Sequence, residues 1–275
     1  MTTTLLRRSF FRRAAKAVAH AGDQVRPPKR GLVILAYHRV GGRTPVEVDL
    51  PTGLFEEQMA ALARTKSVLR LDDAVARLAR GEDLTGRVVV TFDDGTADFE
   101  SDALPVLECY HLPATLYVAT DFVDQNRPFP DDGKPLSWAA LADCVATGLV
   151  DVGSHTHTHV LLDRVTTAEA IDELERSIDL INTNLQLDAD HFAYPKAVAP
   201  SAPVEEVVRD RFVTAALAGT RPNPAGRTDL HRLSRSPVQV ADGMRYFEQK
   251  VSGGMRLEDD LRRLLNRRRY AGLRR

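Results

Sequence analysis

Cysteine is scarce in this chain of 275 residues: there are two, Cys109 and Cys144, both inside apolar helical patterns. Two such residues make no disulfide framework and read as small buried hydrophobes. Long hydrophobic runs are missing as well, since none approaches the roughly 18–20 residues of a membrane span. Aromatic residues make up 6%, with one tryptophan, Trp138. Net charge is nearly absent at −1, but it is unevenly spread. Residues 1–30 carry eight Lys/Arg and one acid, and 256–275 carry eight Arg and three acids, leaving 21 bases and 34 acids in between. An acidic body argues against nucleic acid as a partner. The N-terminus has paired arginines, but the segment after them is mostly alanine with Lys16 and His20, so it lacks the apolar stretch of a secretory signal. A cytoplasmic or membrane-peripheral location is the expectation.

What is present is the composition of a soluble α/β domain, 43% hydrophobic and 27% charged. Three segments are expected: a basic N-terminal arm over 1–30, a main domain over 31–240 and a basic helical segment over 241–275. In the arm, Leu6, Phe10, Ala14 and Val18 share one helical face and Arg8, Arg12 and Lys16 another. Such a helix docks on the domain or, as the alternative, touches an anionic membrane surface.

The chain is organised around Arg87–Gly95, RVVVTFDDG. Three consecutive valines bounded by glycines read as a buried parallel strand that ends in Asp93 and Asp94. Other strands are expected at 31–40, 114–119, 149–152, 191–194, 212–216 and 232–240. Helices are expected at 55–64, 72–80, 97–111, 138–147 (N-capped by Ser137), 171–185 and 205–210, with a long loop over 121–136. Strands alternating with helices predict a parallel sheet closed, or nearly so, into a deformed (β/α)7-8 barrel. Loops at the strand C-termini then converge on one site. The polar strand ends are His38/Arg39, Asp93/Asp94, His155/His157/His159 and Tyr194/Lys196.

Three histidines in five residues invite a metal. As a helical turn, the segment puts His155 and His159 on one face and turns His157 away; as an extended strand, it puts all three together. Gly153 and Ser154 mark the end of a strand, which favours the turn. With Asp94 from another strand end, two histidines and one carboxylate leave an open position for water, as catalytic zinc requires.

TFDDG, the SHTxxH of Ser154–His159 and FAYP (192–195), in this order, resemble the polysaccharide deacetylases of carbohydrate esterase family 4. AYHRV near the start and LSW (136–138) resemble the branch acting on exopolysaccharides and poly-N-acetylglucosamine. The resemblance spans about 32–240. It implies a metal-dependent hydrolase that removes N-acetyl groups from amino sugars of a glycan. Asp94, His155 and His159 would hold the divalent metal: Zn2+ first, Co2+ or Ni2+ otherwise. Asp93 would be the general base, and His38 the general acid that the branch takes from the N-terminal strand. His231 is the C-terminal alternative. Lys196 would offer a backbone N–H to the oxyanion; Tyr194 is a substrate wall or core, and Trp138 stacks on a sugar or packs at its helix start. One departure stands out: Lys196-Ala197 follows Pro195, where the family carries an aromatic residue and glycine. Competing readings are an acetyl-ester or small-amide hydrolase on the same site, and a degenerate glycan-binding domain.

Overall fold

The structure, a computed structural model, describes residues 29–260 together with Lys16, Ala19, His20, Gly22 and Asp23. Seven parallel strands form a closed barrel. In order around it they are β1 (Val33–Tyr37), β4 (Val88–Phe92), β5 (Ala114–Val118), β6 (Val150–Ser154), β7 (His191–Ala193), β8 (Thr214–Ala218) and β9 (Leu233–Pro237). A parallel pair, β2 (Arg39–Val40) and β3 (Asp49–Leu50), lies apart from the barrel. The expected barrel is therefore present, with seven strands.

Each barrel strand divides its residues by the two-residue period. On β1, Val33, Leu35 and Tyr37 face outward into a cluster with Phe55, Met59, Phe92 and Phe99. Ile34 faces inward, with Val89, Tyr117, Ala193, Ala216 and Leu233. The inward set is completed by Leu71, Ala74, Val75 and Leu78 of α2 (Leu71–Ala79). That helix follows α1 (Thr52–Thr65) and plugs the end of the barrel where the strands begin. His191 Nε2 meets Asp72 Oδ1 at 2.7 Å, and Arg70 pairs with Asp151, which tie the plug to the starts of β7 and β6. The floor is thus closed, and the opposite end is left for the loops.

The helix expected over 97–111 begins as one π turn (Phe99–Ala103) before becoming α3 (Leu104–Tyr110). Pro105 has no N–H to donate to Ser101, so the ladder widens ahead of it. Within the stretch expected to be a loop lies a short helix, α4 (Thr120–Asp124), held by Thr120 N–H to Thr156 O and Asp121 N–H to His157 O. α5 (Trp138–Ala146) starts where expected, with Ser137 Oγ accepting from Ala140 N–H. α6 (Thr167–Leu185) opens on a capping box between Thr166 and Glu169. α7 is Ala202–Arg209 and α8 is Gly243–Val251, with further helix over 256–260. The arm's other residues and 261–275, on which the amphipathic-helix reading and part of the C-terminal reading fall, lie outside the described residues. No described helix is long and apolar enough to cross a membrane.

Candidate active site

β4 delivers its two acids in different directions. Asp93 N–H donates to Tyr37 O at 3.0 Å, which keeps Asp93 in register with the end of β1. Asp94 then enters the left-handed region at φ 79°, followed by Gly95 at φ 93°. Ala119 N–H binds Asp94 O and Leu136 N–H binds Gly95 O, so two neighbouring loops fix this reversal. A Cβ on Gly95 would stand 3.2 Å from Val118 Cγ1 at a φ few side chains adopt.

The histidines come from the loop after β6. His155 N–H donates to Val118 O, and its Nδ1–H donates to Ala193 O at 2.6 Å. That bond fixes the tautomer and leaves the Nε2 lone pair 3.7 Å from Asp94 Oδ1. His159 Nε2 is 3.4 Å from the same oxygen. His157 is turned away, with Nδ1 3.0 Å from Thr120 Oγ1 and Nε2 3.9 Å from Asp121 Oδ1. The expected partition of the three histidines holds, but not through a helical turn. The segment is irregular, with Thr156 at φ 64° and His159 at φ 62°, and these left-handed kinks re-aim the side chains.

One ligand atom from each of Asp94, His155 and His159 lies within 4.8 Å of the others. Burial, the largest influence, pushes both imidazoles below their ordinary range, His159 to about 3. Burial works to raise Asp94, but His38, His159 and His155 together hold it below its usual value. Two neutral imidazoles and an ionised carboxylate are the donor set of a divalent cation, and the pinned tautomer of His155 aims its free nitrogen at that point. These residues fit a metal.

Asp93 has a partner that sequence reasoning missed. Arg235 of β9 grips it with two bonds, Nη1–Oδ1 at 2.5 Å and Nη2–Oδ2 at 2.8 Å, and its Nη1 is 3.2 Å from Thr91 Oγ1. Both residues are buried. Burial would raise the Asp93 carboxyl, but Arg235 first, then His155 and His38, hold it well below the usual carboxylate range. A signal existed: Arg235 shares the inward face of β9 with Leu233, and an inward arginine requires a carboxylate.

His38, just after β1, places Nε2 3.9 Å from Asp93 Oδ2 and is partly open to solvent. Its Nδ1 has no hydrogen-bond partner among the described residues. His231 lies before β9, at the plugged end, with Nε2 2.7 Å from Phe212 O. Lys196 is exposed beyond the end of β7, and its charge reaches His159. Tyr194 corrects the expectation of a substrate wall. It shares the outward face of β7 with Phe192 and is buried with Val204, Val208 and Phe212. Trp138 is half-buried, and its indole N–H donates to Asp124 Oδ1 at 3.3 Å, which ties it to α4 and not to the acid–histidine group.

Known proteins are similar to this chain in sequence and in fold. Residues 80–210 match the family model described as polysaccharide deacetylase, a span that includes Asp93, Asp94, His155 and His159. A relative from Staphylococcus epidermidis, poly-beta-1,6-N-acetyl-D-glucosamine N-deacetylase, is 26% identical over 190 residues. That alignment covers 61% of this chain and 65% of the relative, so the chain spans just under two thirds of it. The solved structure of IcaB from Ammonifex degensii is 25% identical with a TM-score of 0.70, covering 82% of this chain and 98% of that one. The Streptococcus pyogenes deacetylase PplD, solved in complex with acetate, has a TM-score of 0.70 at 19% identity, covering 82% and 99%, and supports the fold.

Proposed function

We propose that this chain, whose residues 80–210 match the polysaccharide deacetylase family model, acts as a member of that family and hydrolyses the N-acetyl groups of amino sugars in a glycan. The observation that carries the reading is the convergence of Asp94, His155 and His159 beside an ionised Asp93 gripped by Arg235.

The triad would hold one divalent ion, zinc before cobalt or nickel, and such an ion when bound supplies a Lewis acid and an acidified water. Asp93 is the general base, accepting a proton from the attacking water. Arg235 keeps that carboxylate charged and fixes both its oxygens, so Asp93 meets the water in one orientation. His38, 3.9 Å from Asp93 and partly open to solvent, donates a proton to the leaving nitrogen. The backbone N–H of Lys196 would serve as a donor to the developing oxyanion. Trp138 and the loop around it offer a sugar contact further out.

Acetate release from N-acetylglucosamine oligomers with added divalent metal tests this reading. Asp93→Asn is expected to lower the rate by about 10²-fold or more, the scale of general-base loss, while metal content stays at the parent level. Loss of metal in step with activity would make Asp93 a ligand and overturn the division of roles.

A further inference from the structure

The two histidines of the triad are held in different ways. His155 is oriented through its ring, whose Nδ1–H donates to Ala193 O at 2.6 Å. The His159 ring makes no hydrogen bond to any described residue, and its Nε2 only approaches Asp94 at 3.4 Å. Its backbone stands at φ 62°, a conformation that a residue with a side chain keeps only where its surroundings impose it. The aim of His159 is therefore set by what holds its neighbours.

Those neighbours are held by α6. Glu173 Oε2 accepts from Thr158 N–H at 2.8 Å, and Glu173 Oε1 accepts from the Thr158 hydroxyl at 2.8 Å. One turn further along the helix, Ser177 Oγ meets Ser154 Oγ at 2.7 Å, and Ser154 Oγ accepts from Thr156 N–H at 3.3 Å. On the other side of His159, Val160 and Leu162 pack in the cluster that holds Ala170 and Leu174 of the same helix. His159 thus lies between a polar and an apolar anchor, both supplied by one capped helix of 19 residues. The carboxylates beside Glu173 take arginines: Asp172 pairs with Arg176 at 2.9 Å and Glu175 with Arg211 at 2.6 Å. Glu173 pairs with no Lys or Arg among the described residues, and both its oxygens are engaged by Thr158.

We propose that Glu173 is a positioning residue for the metal site: by clamping both donors of Thr158 it fixes the main chain that aims His159. The proposal rests on the reading of Asp94, His155 and His159 as metal ligands. A ligating imidazole is ordinarily oriented by a hydrogen bond to its other nitrogen. For His159 that task falls to the backbone one residue upstream. Two hydrogen bonds do this work, so glutamine can replace the glutamate. Its amide oxygen accepts from Thr158 N–H and its NH2 donates to the threonine oxygen, the hydroxyl reversing its role. Alanine can do neither.

The test measures Kd for Zn2+, by competition with a chromophoric chelator, in the full chain and in Glu173→Ala, Glu173→Gln, Thr158→Val and the Glu173→Ala/Thr158→Val double variant. Melting temperatures of the zinc-free proteins are taken alongside. Kd is expected to rise about 10-fold in Glu173→Ala, the scale on which loss of a ligand-orienting group weakens a metal site. Thr158→Val, which keeps the N–H bond, should lose less, and Glu173→Gln should stay near the parent. The double variant should be no weaker than Glu173→Ala, because both changes remove one clamp. The visible spectrum of bound Co2+ should change in Glu173→Ala and keep the parent's form in Glu173→Gln. Equal zinc affinity in all the folded proteins would overturn the proposal, as would a loss in Glu173→Ala that tracks a lower zinc-free melt and is not rescued by glutamine. Zinc binding by none of them, the parent included, would overturn the metal reading itself and the proposal with it.

Discussion

At the residue scale, the two candidate proton donors are separated by where the barrel puts them. His38 follows the end of β1 and reaches Asp93, whereas His231 lies at the opposite end and is bonded to Phe212 O. His38→Ala is therefore expected to lose most deacetylation of an N-acetyl substrate while keeping far more activity on an activated acetyl ester, whose leaving group needs no proton. His231→Ala should behave like the parent on both, and rates on the two substrates check this directly. A reversed pattern would assign the acid to His231. Asp93, Asp94, His155 and His159 were legible in the sequence because strand ends converge in a parallel barrel. Arg235 was not, because its role depends on which face of β9 it occupies and which strand closes the barrel. Tyr194 was misplaced for a related reason: a strand three residues long does not reveal from sequence which face is inward.

At the element scale, the site is built from short irregular segments, each fixed by backbone bonds rather than by regular helix or strand. The turn at Pro195–Ala197 shows the cost. Ala197 sits at φ 55°, where a Cβ crowds the following carbonyl by about 1 kcal/mol or more relative to glycine. Ala197→Gly is expected to raise stability by up to about 1 kcal/mol after the entropy of the freer unfolded chain is counted, and the melting temperature by about 2–4 °C. An unchanged or lower melting temperature would show that the turn is not strained. The sequence pattern gave each barrel strand to within a few residues, and it gave α5 with its Ser137 cap. It did not give α4 or the loop form of 155–159, because both are held by contacts between distant segments: Thr120 with Thr156, and Asp121 with His157.

At the scale of the molecule, the barrel is closed by a seam without a crossover helix. Between β8 and β9, Asn223 Oδ1 accepts from Ser234 N–H and its Nδ2 donates to Ser234 O and Leu32 O, so one side chain bridges both sides of the closure. Beyond it, the described residues of the arm pack against the C-terminal helices. Lys16 is buried between Asp242 and Glu258, and Lys250 shares Asp242 at 2.8 Å. Removing one cation leaves buried carboxylates short of a partner, so Lys16→Ala is expected to cost about 3 kcal/mol and to lower the melting temperature by about 6–12 °C. A melt within 1 °C of the parent would mean that the arm contributes nothing to the fold. The central claim is that this barrel gathers Asp94, His155 and His159 to hold one metal for amide hydrolysis. Its most direct test is acetate release from an N-acetylglucosamine oligomer as zinc is titrated into chelator-treated protein. The account predicts no release without metal, a rise that saturates near one equivalent, and no such rise in Asp94→Ala. Release unaffected by chelation, or none at any metal level, would contradict it.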